Sequence, residues 1–397
     1  GQSTTLTGSG ANTYAWSSGG SGSTISVSPA ASTTYTVTGT SSAGCTGTAS
    51  VSVTVNPLPT VTSSAAPSAI CNGETTTLSA NGANTYSWSS GGTGANINVN
   101  PSSTTTYYVT GTTAAGCTGT SSVSVTVNPI PSITASASPT SICVGESSTI
   151  TATGGNTYTW STGSTAASGP VSPTSTTTYS VTGTSAAGCT NTASVTVTVN
   201  PLPSVTATTS PTAICEGQSS TLTAGGANAY AWSSGAAGST INVSPTTTTS
   251  YTVTGTSTAG CTGTAVVNVT VNPLPTVSAT ASPASICAGE STSLTAGGAN
   301  TYAWSSGGAG ASINVTPAAT GIYTVTGTST AGCTGTASVT VTVNPLPTIS
   351  AIANPSSICI GFSSTVTGMG GNSYMWSNGY TSTSFTESPT VTTTYQV

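Results

Sequence analysis

The sequence predicts an all-β chain, a tandem array of small β-sandwiches with one sandwich per 72-residue repeat, forming an elongated rod. Three observations predict this. The stretch NTYAWSSGG around Trp16 returns around Trp88, Trp160, Trp232, Trp304 and Trp376, always 72 residues further on. Valines alternate with Ser and Thr at a period of two, the pattern of a half-buried strand. Clusters of Gly, Asn and Pro punctuate these stretches at short intervals, and no segment has helical periodicity.

Taking each unit from the Pro of NPLP gives complete repeats at 57–128, 129–200, 201–272 and 273–344. Residues 1–56 form a repeat truncated at its N-terminal side, and 345–397 one truncated at its C-terminal side. Within 57–128 the strands can be justified in order. PTVTSSA is a short first strand. ETTTLSA follows, centred on Leu78, and TYSWSS carries Trp88. NINVN is next, and TTTYYVTGT turns Tyr107 and Val109 to one face. SSVSVTVNP closes the unit, with Val123, Val125 and Val127 on one face and hydroxyls on the other. SSGGTG, NPSS and TAAGC read as turns.

The order Leu78, Trp88, Tyr107, Val109 is that of an immunoglobulin-type sandwich. There a buried residue on strand B, a Trp on strand C and a Tyr two before a buried residue on strand F define the core. The columns persist as Leu6, Leu78, Ile150, Leu222, Leu294, Val366 and as Tyr35, Tyr107, Tyr179, Tyr251, Tyr323, Tyr395. The few residues between Trp88 and Tyr107 suit a minimal seven-strand sandwich. Trp16, Trp88, Trp160, Trp232, Trp304 and Trp376 are therefore read as core plugs. The competing reading is an exposed sugar-stacking platform.

Composition excludes whole classes of function. The chain has 397 residues, no Lys, Arg or His, and five acids, all Glu: Glu74, Glu146, Glu216, Glu290 and Glu387. Without cations it cannot neutralise phosphates, so nucleic acid and anionic membrane surfaces are not expected partners. Without His, Asp or Lys no hydrolase triad or Schiff base can be written, and one Glu per repeat is too few for a calcium loop. We expect no enzyme activity, no cofactor and no metal. No apolar run has the length of a membrane span.

SICVGESSTITATGGNTYTWSTG, followed by TTYSVTGTSAAGCTNTASVTVTVNPLP, resembles the Ig-like/PKD-like repeats of Bacteroidota surface proteins. The elements that carry the resemblance are Cys143, Tyr158 with Trp160, Tyr179 with Val181, and Gly188 with Cys189. It covers the whole chain. It implies a segment of a large secreted adhesin or gliding-associated protein, exported by the type IX system and located extracellularly at the cell surface, where such repeats serve as stalks. The sorting domain that usually accompanies these repeats is not in this sequence.

The ten cysteines form two columns: Cys71, Cys143, Cys215, Cys287, Cys359, and Cys45, Cys117, Cys189, Cys261, Cys333. Two per repeat with no C-x-x-C pair points to disulfides in an oxidising setting rather than zinc. Two pairings stay open. Cys71 to Cys117 closes a loop within one repeat, worth about 4 kcal/mol on a chain-entropy basis. Alternatively, the first column lies at the far end of each sandwich and the second at the near end, about 25 Å apart. Cys71 would then meet Cys189 of the next repeat, Cys143 would meet Cys261, and Cys215 would meet Cys333.

The junctions VNPLP and VNPIP place two prolines around one apolar residue, a stiff linker. Two function classes follow. One is a structural segment of an extracellular fibre or adhesin stalk, whose partners are neighbouring repeats and identical chains. The other is a multivalent array binding glycans or surfaces through its turns. Strict conservation of repeat length favours the first, since binding domains diversify in their loops.

Overall fold

The computed structural model describes residues 1–397, in strands, turns and connecting segments without a helix. It divides into two compact units, Gly1–Asn200 and Pro201–Val397. The first unit opens with β1 (Thr4–Thr7), β2 (Thr13–Trp16), β3 (Thr24–Val27), β4 (Thr33–Thr40) and β5 (Thr46–Val53). Repeat 57–128 then supplies β6 (Thr62–Ala66), β7 (Ala69–Cys71), β8 (Thr76–Asn81), β9 (Thr85–Trp88), β10 (Asn96–Val99), β11 (Thr105–Thr112) and β12 (Thr118–Asn128).

These seven strands make two sheets, β6-β8-β10 and β7-β12-β11-β9. In immunoglobulin lettering they are A-B-E and A′-G-F-C. All neighbours are antiparallel except β7 and β12, which run parallel with Ala69–Cys71 beside Thr126–Asn128. Repeat 129–200 repeats both sheets, and in the second unit 201–272 and 273–344 do the same. The short A′ strand is absent from the sequence-based expectation, which assigned no element to SAIC between its first and second strands. Three residues are too few to show a period, and their pairing depends on a strand some 57 residues away, between Ala69 and Thr126.

Alternation along the strands builds the core. On β8 the pattern is buried at Thr76, Leu78 and Ala80, and on β11 at Tyr107, Val109 and Gly111. Leu78, Ala80, Tyr107 and Val109 join Val61, Ile70, Trp88, Val99 and Val125 in one cluster, with Leu78 and Val125 fully buried. Equivalent clusters recur at 133–199, 205–271 and 277–343, each drawn from its own repeat. Trp88 is 3% exposed, and its indole N–H donates to the carbonyl of Gly94 at 3.1 Å. The Trp column is thus inside, with its one polar atom satisfied, and offers no exposed face to a sugar. The buried hydroxyl of Thr76 likewise donates to the Pro67 carbonyl at 2.6 Å, as those of Ser148, Ser220 and Thr292 do to Pro139, Pro211 and Pro283.

The recurrent TGT motifs acquire a reason at the near end of each sandwich. Gly111 on β11 faces Gly119 on β12. A Cβ on Gly111 would lie 2.7 Å from side-chain carbons of Val61 and Ala83, and one on Gly119 would lie 2.3 Å from the Pro59 carbonyl. The proline-rich stem 57–61 therefore packs on the F–G hairpin of its own repeat, and glycine makes room for it. In repeat 129–200 an asparagine, Asn191, takes the second position, and its amide donates to the Pro131 carbonyl at 3.0 Å.

Candidate functional site

The feature that unites the repeats is the junction, built from two halves. The first half is A′. Parallel pairing puts Cys71 beside Asn128, the last residue of β12, where the chain leaves the sandwich. Asn72 N–H bonds to the Asn128 carbonyl at 3.0 Å, and the Cys71 N–H is taken by the carboxylate of Glu74 at 2.8 Å. The C-x-G-E turn thus closes on itself, with Gly73 at φ +90° where a side chain would be strained.

The second half is the F–G hairpin of the following repeat. Ser185 and Cys189 close a tight turn, with Ser185 N–H on the Cys189 carbonyl at 2.8 Å and Gly188 N–H on the Ser185 carbonyl at 3.0 Å. The Ser185 hydroxyl accepts the Cys189 N–H at 3.1 Å. This fixes Cys189 over the junction, with its Sγ 4.0 Å from the Asn128 carbonyl.

Cys71 and Cys189 are joined by a disulfide, with Cα atoms 5.7 Å apart and a separation of 118 positions in sequence. In the second unit Cys215 and Cys333 are joined across the same separation of 118 residues, with Cα atoms 5.6 Å apart. The within-repeat alternative, Cys71 to Cys117, is not formed. Cys45, Cys117, Cys287 and Cys359, candidates from their columns, are free thiols in the structure. The reason is arithmetic: the sequence holds no cysteine 118 residues before Cys45 or Cys117, or after Cys287 or Cys359. Cys117 nevertheless sits as Cys189 does, its Sγ 3.7 Å from the Asn56 carbonyl.

Sequence reasoning missed the role of Glu74. Glu146 and Glu290 repeat its bond to the cysteine N–H at 2.8 Å, and Gln218 replaces it at 3.0 Å on Cys215. The signal was visible as a column three residues after the cysteine, but a lone carboxylate per repeat reads as solvated surface unless the turn is known. No three or more His, Cys, Asp or Glu side chains come together as a metal site, and no helix is long and apolar enough to cross a membrane.

No protein family and no curated protein matches the chain. Among solved structures it is similar to a Ca2+-stabilised adhesin with which an Antarctic bacterium reaches out and binds ice, at 20% identity and a TM-score of 0.29, over 79% of this chain and 94% of that one. A 1.5-MDa bacterial ice-binding adhesin, described for its host cell surface retention, is similar at 17% identity and a TM-score of 0.24, over 55% of this chain and 98% of that one. The eight N-terminal Ig domains of Down Syndrome Cell Adhesion Molecule are similar at 12% identity and a TM-score of 0.23, over 94% of this chain and 63% of that one. At these identities and TM-scores the likeness says nothing of what this chain binds.

Proposed function

We propose that the chain is a structural, non-catalytic segment of an extracellular cell-surface fibre or adhesin stalk. In this reading each 72-residue repeat is a domain about 35 Å long, taken from its strand length, and within each compact unit the domains stand end to end. The single observation that carries the reading is the staple. A disulfide running from the far end of one sandwich to the hairpin of the next locks the junction beside the peptide link at Asn128. Two covalent tethers and a packed proline stem leave a junction little freedom to bend. Stiff junctions are what a stalk needs and what a chain of independent binding modules does not. The large-surface-protein setting suggested by the resemblance to Bacteroidota repeats belongs to the same reading. Negative-stain imaging tests it: the oxidised chain should be straight, with a persistence length that falls when the disulfides are reduced. A chain equally flexible in both states would refute the stalk.

A second reading, an array that binds glycans, draws on the exposed hydroxyl pairs of the F–G face. Thr34 bonds Ser52, and Thr178 bonds Thr196, both at 2.8 Å. Glycan-array binding by the whole chain tests it, and absence of binding removes it.

A further inference from the structure

Four of the five carboxylates in this chain lie within three residues of an A′ cysteine: Glu74 by Cys71, Glu146 by Cys143, Glu216 by Cys215 and Glu290 by Cys287. No Lys, Arg or His exists to neutralise them. In a sequence with 1% charged residues, that placement concentrates nearly all side-chain charge at the junctions. The other half of the staple, the A-G-C hairpin, carries none.

We propose that the carboxylate three residues after the A′ cysteine positions the staple and protects it, as a fixed negative charge, against opening by anionic thiols. Positioning follows from the hydrogen bond. By accepting the Cys71 N–H, Glu74 holds the backbone from which the sulfur projects toward the next hairpin. Gln218 shows that an amide oxygen does this equally, since it accepts the Cys215 N–H at 3.0 Å and that staple is also formed. The turn therefore does not need charge, and the charge calls for another account.

Protection follows from the chemistry of opening. A thiolate attacks one sulfur of the disulfide, forms a mixed disulfide with it and expels the other sulfur as a thiolate. A second thiol then resolves the mixed disulfide, leaving two protein thiols and one oxidised reductant. The attacking and departing sulfurs are both anionic. A carboxylate bonded to the cysteine N–H lies within about 6 Å of its sulfur, closer than the screening length of about 8 Å at physiological salt. It repels the incoming thiolate and disfavours the departing one, an effect worth roughly two- to tenfold in rate at an exposed site.

The test uses the full chain and three small thiols: 3-mercaptopropionate (anionic), 2-mercaptoethanol (neutral) and cysteamine (cationic). Opened cysteines are trapped by alkylation and located by mass mapping, with a protease that cuts at apolar residues because trypsin has no site. Each staple is followed separately, so Cys215–Cys333 is the internal control for changes at Cys71–Cys189. Glu74→Gln keeps the turn bond and removes the charge. It should open Cys71–Cys189 about two- to fivefold faster with 3-mercaptopropionate than wild type, by a smaller factor with 2-mercaptoethanol, whose thiolate carries a single charge, and least with cysteamine, whose thiolate is balanced by its ammonium. Gln218→Glu should do the reverse at Cys215–Cys333, and 1 M salt should flatten both differences. Glu74→Ala removes bond and charge together and should speed opening by all three thiols. Rates in Glu74→Gln and Gln218→Glu that ignore thiol charge would overturn the protective role. A Glu74→Ala staple that opens no faster than Glu74→Gln would overturn the positioning role.

Discussion

Repeat 57–128 and residues 345–397 share the same columns but not the same structure. In the first, seven strands form two sheets and the A′ strand carries a bonded cysteine. In the second, only Ser350–Asn354, Ser364–Met369 and Ser384–Glu387 are strands, in one sheet. Trp376 is nonetheless 2% exposed, its indole donating to the Ser382 carbonyl at 2.9 Å. Phe385 meets it edge-on at 5.0 Å, while Tyr380 stacks on Phe385 at 4.9 Å. By contrast Ile358, the counterpart of the buried Ile70, is only half-buried, and Cys359 is an exposed thiol. Ile358, Val366 and Tyr395 line an open cleft, whereas their counterparts in 57–128 close on Val125.

The difference separates two jobs. Trp88 and Trp376 are both buried against residues of strands B and E, Leu78 with Val99 and Val366 with Phe385. The junction is held by G, because A′ has no other neighbour to pair with.

This division can be broken experimentally. Trp88→Ala should cost about 3–5 kcal/mol of the stability of repeat 57–128, read by hydrogen exchange across β8, β9 and β11. Val125→Ala, at a fully buried position on β12, should cost about 2–3 kcal/mol and raise exchange at Ala69–Cys71 while Trp88 stays protected. Loss of protection at Trp88 first would reverse the assignment of the two jobs. Gly111→Ala should cost about 2 kcal/mol by pushing Val61 off the hairpin, loosening the proline stem. Thr76→Val, which deletes the hydroxyl bonded to Pro67, should cost about 1 kcal/mol in a denaturant titration.

Much of this was legible in the sequence, for identifiable reasons. Leu78, Trp88, Tyr107 and Val125 stand on strands long enough for alternation to show, and repetition turns a weak pattern into a column. The TGT glycines were visible as a motif, but their purpose was not, because it lies in how close the Pro59 carbonyl approaches Gly119. A′ is too short for periodicity, and Glu74 acquires meaning only when its carboxylate is seen on the Cys71 N–H. The choice between two cysteine pairings was open for the same reason. It depends on which end of a sandwich each cysteine occupies, and that is set by the pairing of Cys71 with Asn128.

The most direct test of the stalk is to pull the chain by its ends in a single-molecule force measurement. Each staple bridges 118 residues, which at about 3.5 Å per extended residue is about 400 Å of polypeptide removed from the load path. If load passes through the disulfides, the oxidised chain should release none of the length between Cys71 and Cys189 or between Cys215 and Cys333. Adding a reductant should restore stepwise unfolding of the repeats and lengthen the fully stretched chain accordingly. Equal stretched lengths before and after reduction would contradict the account.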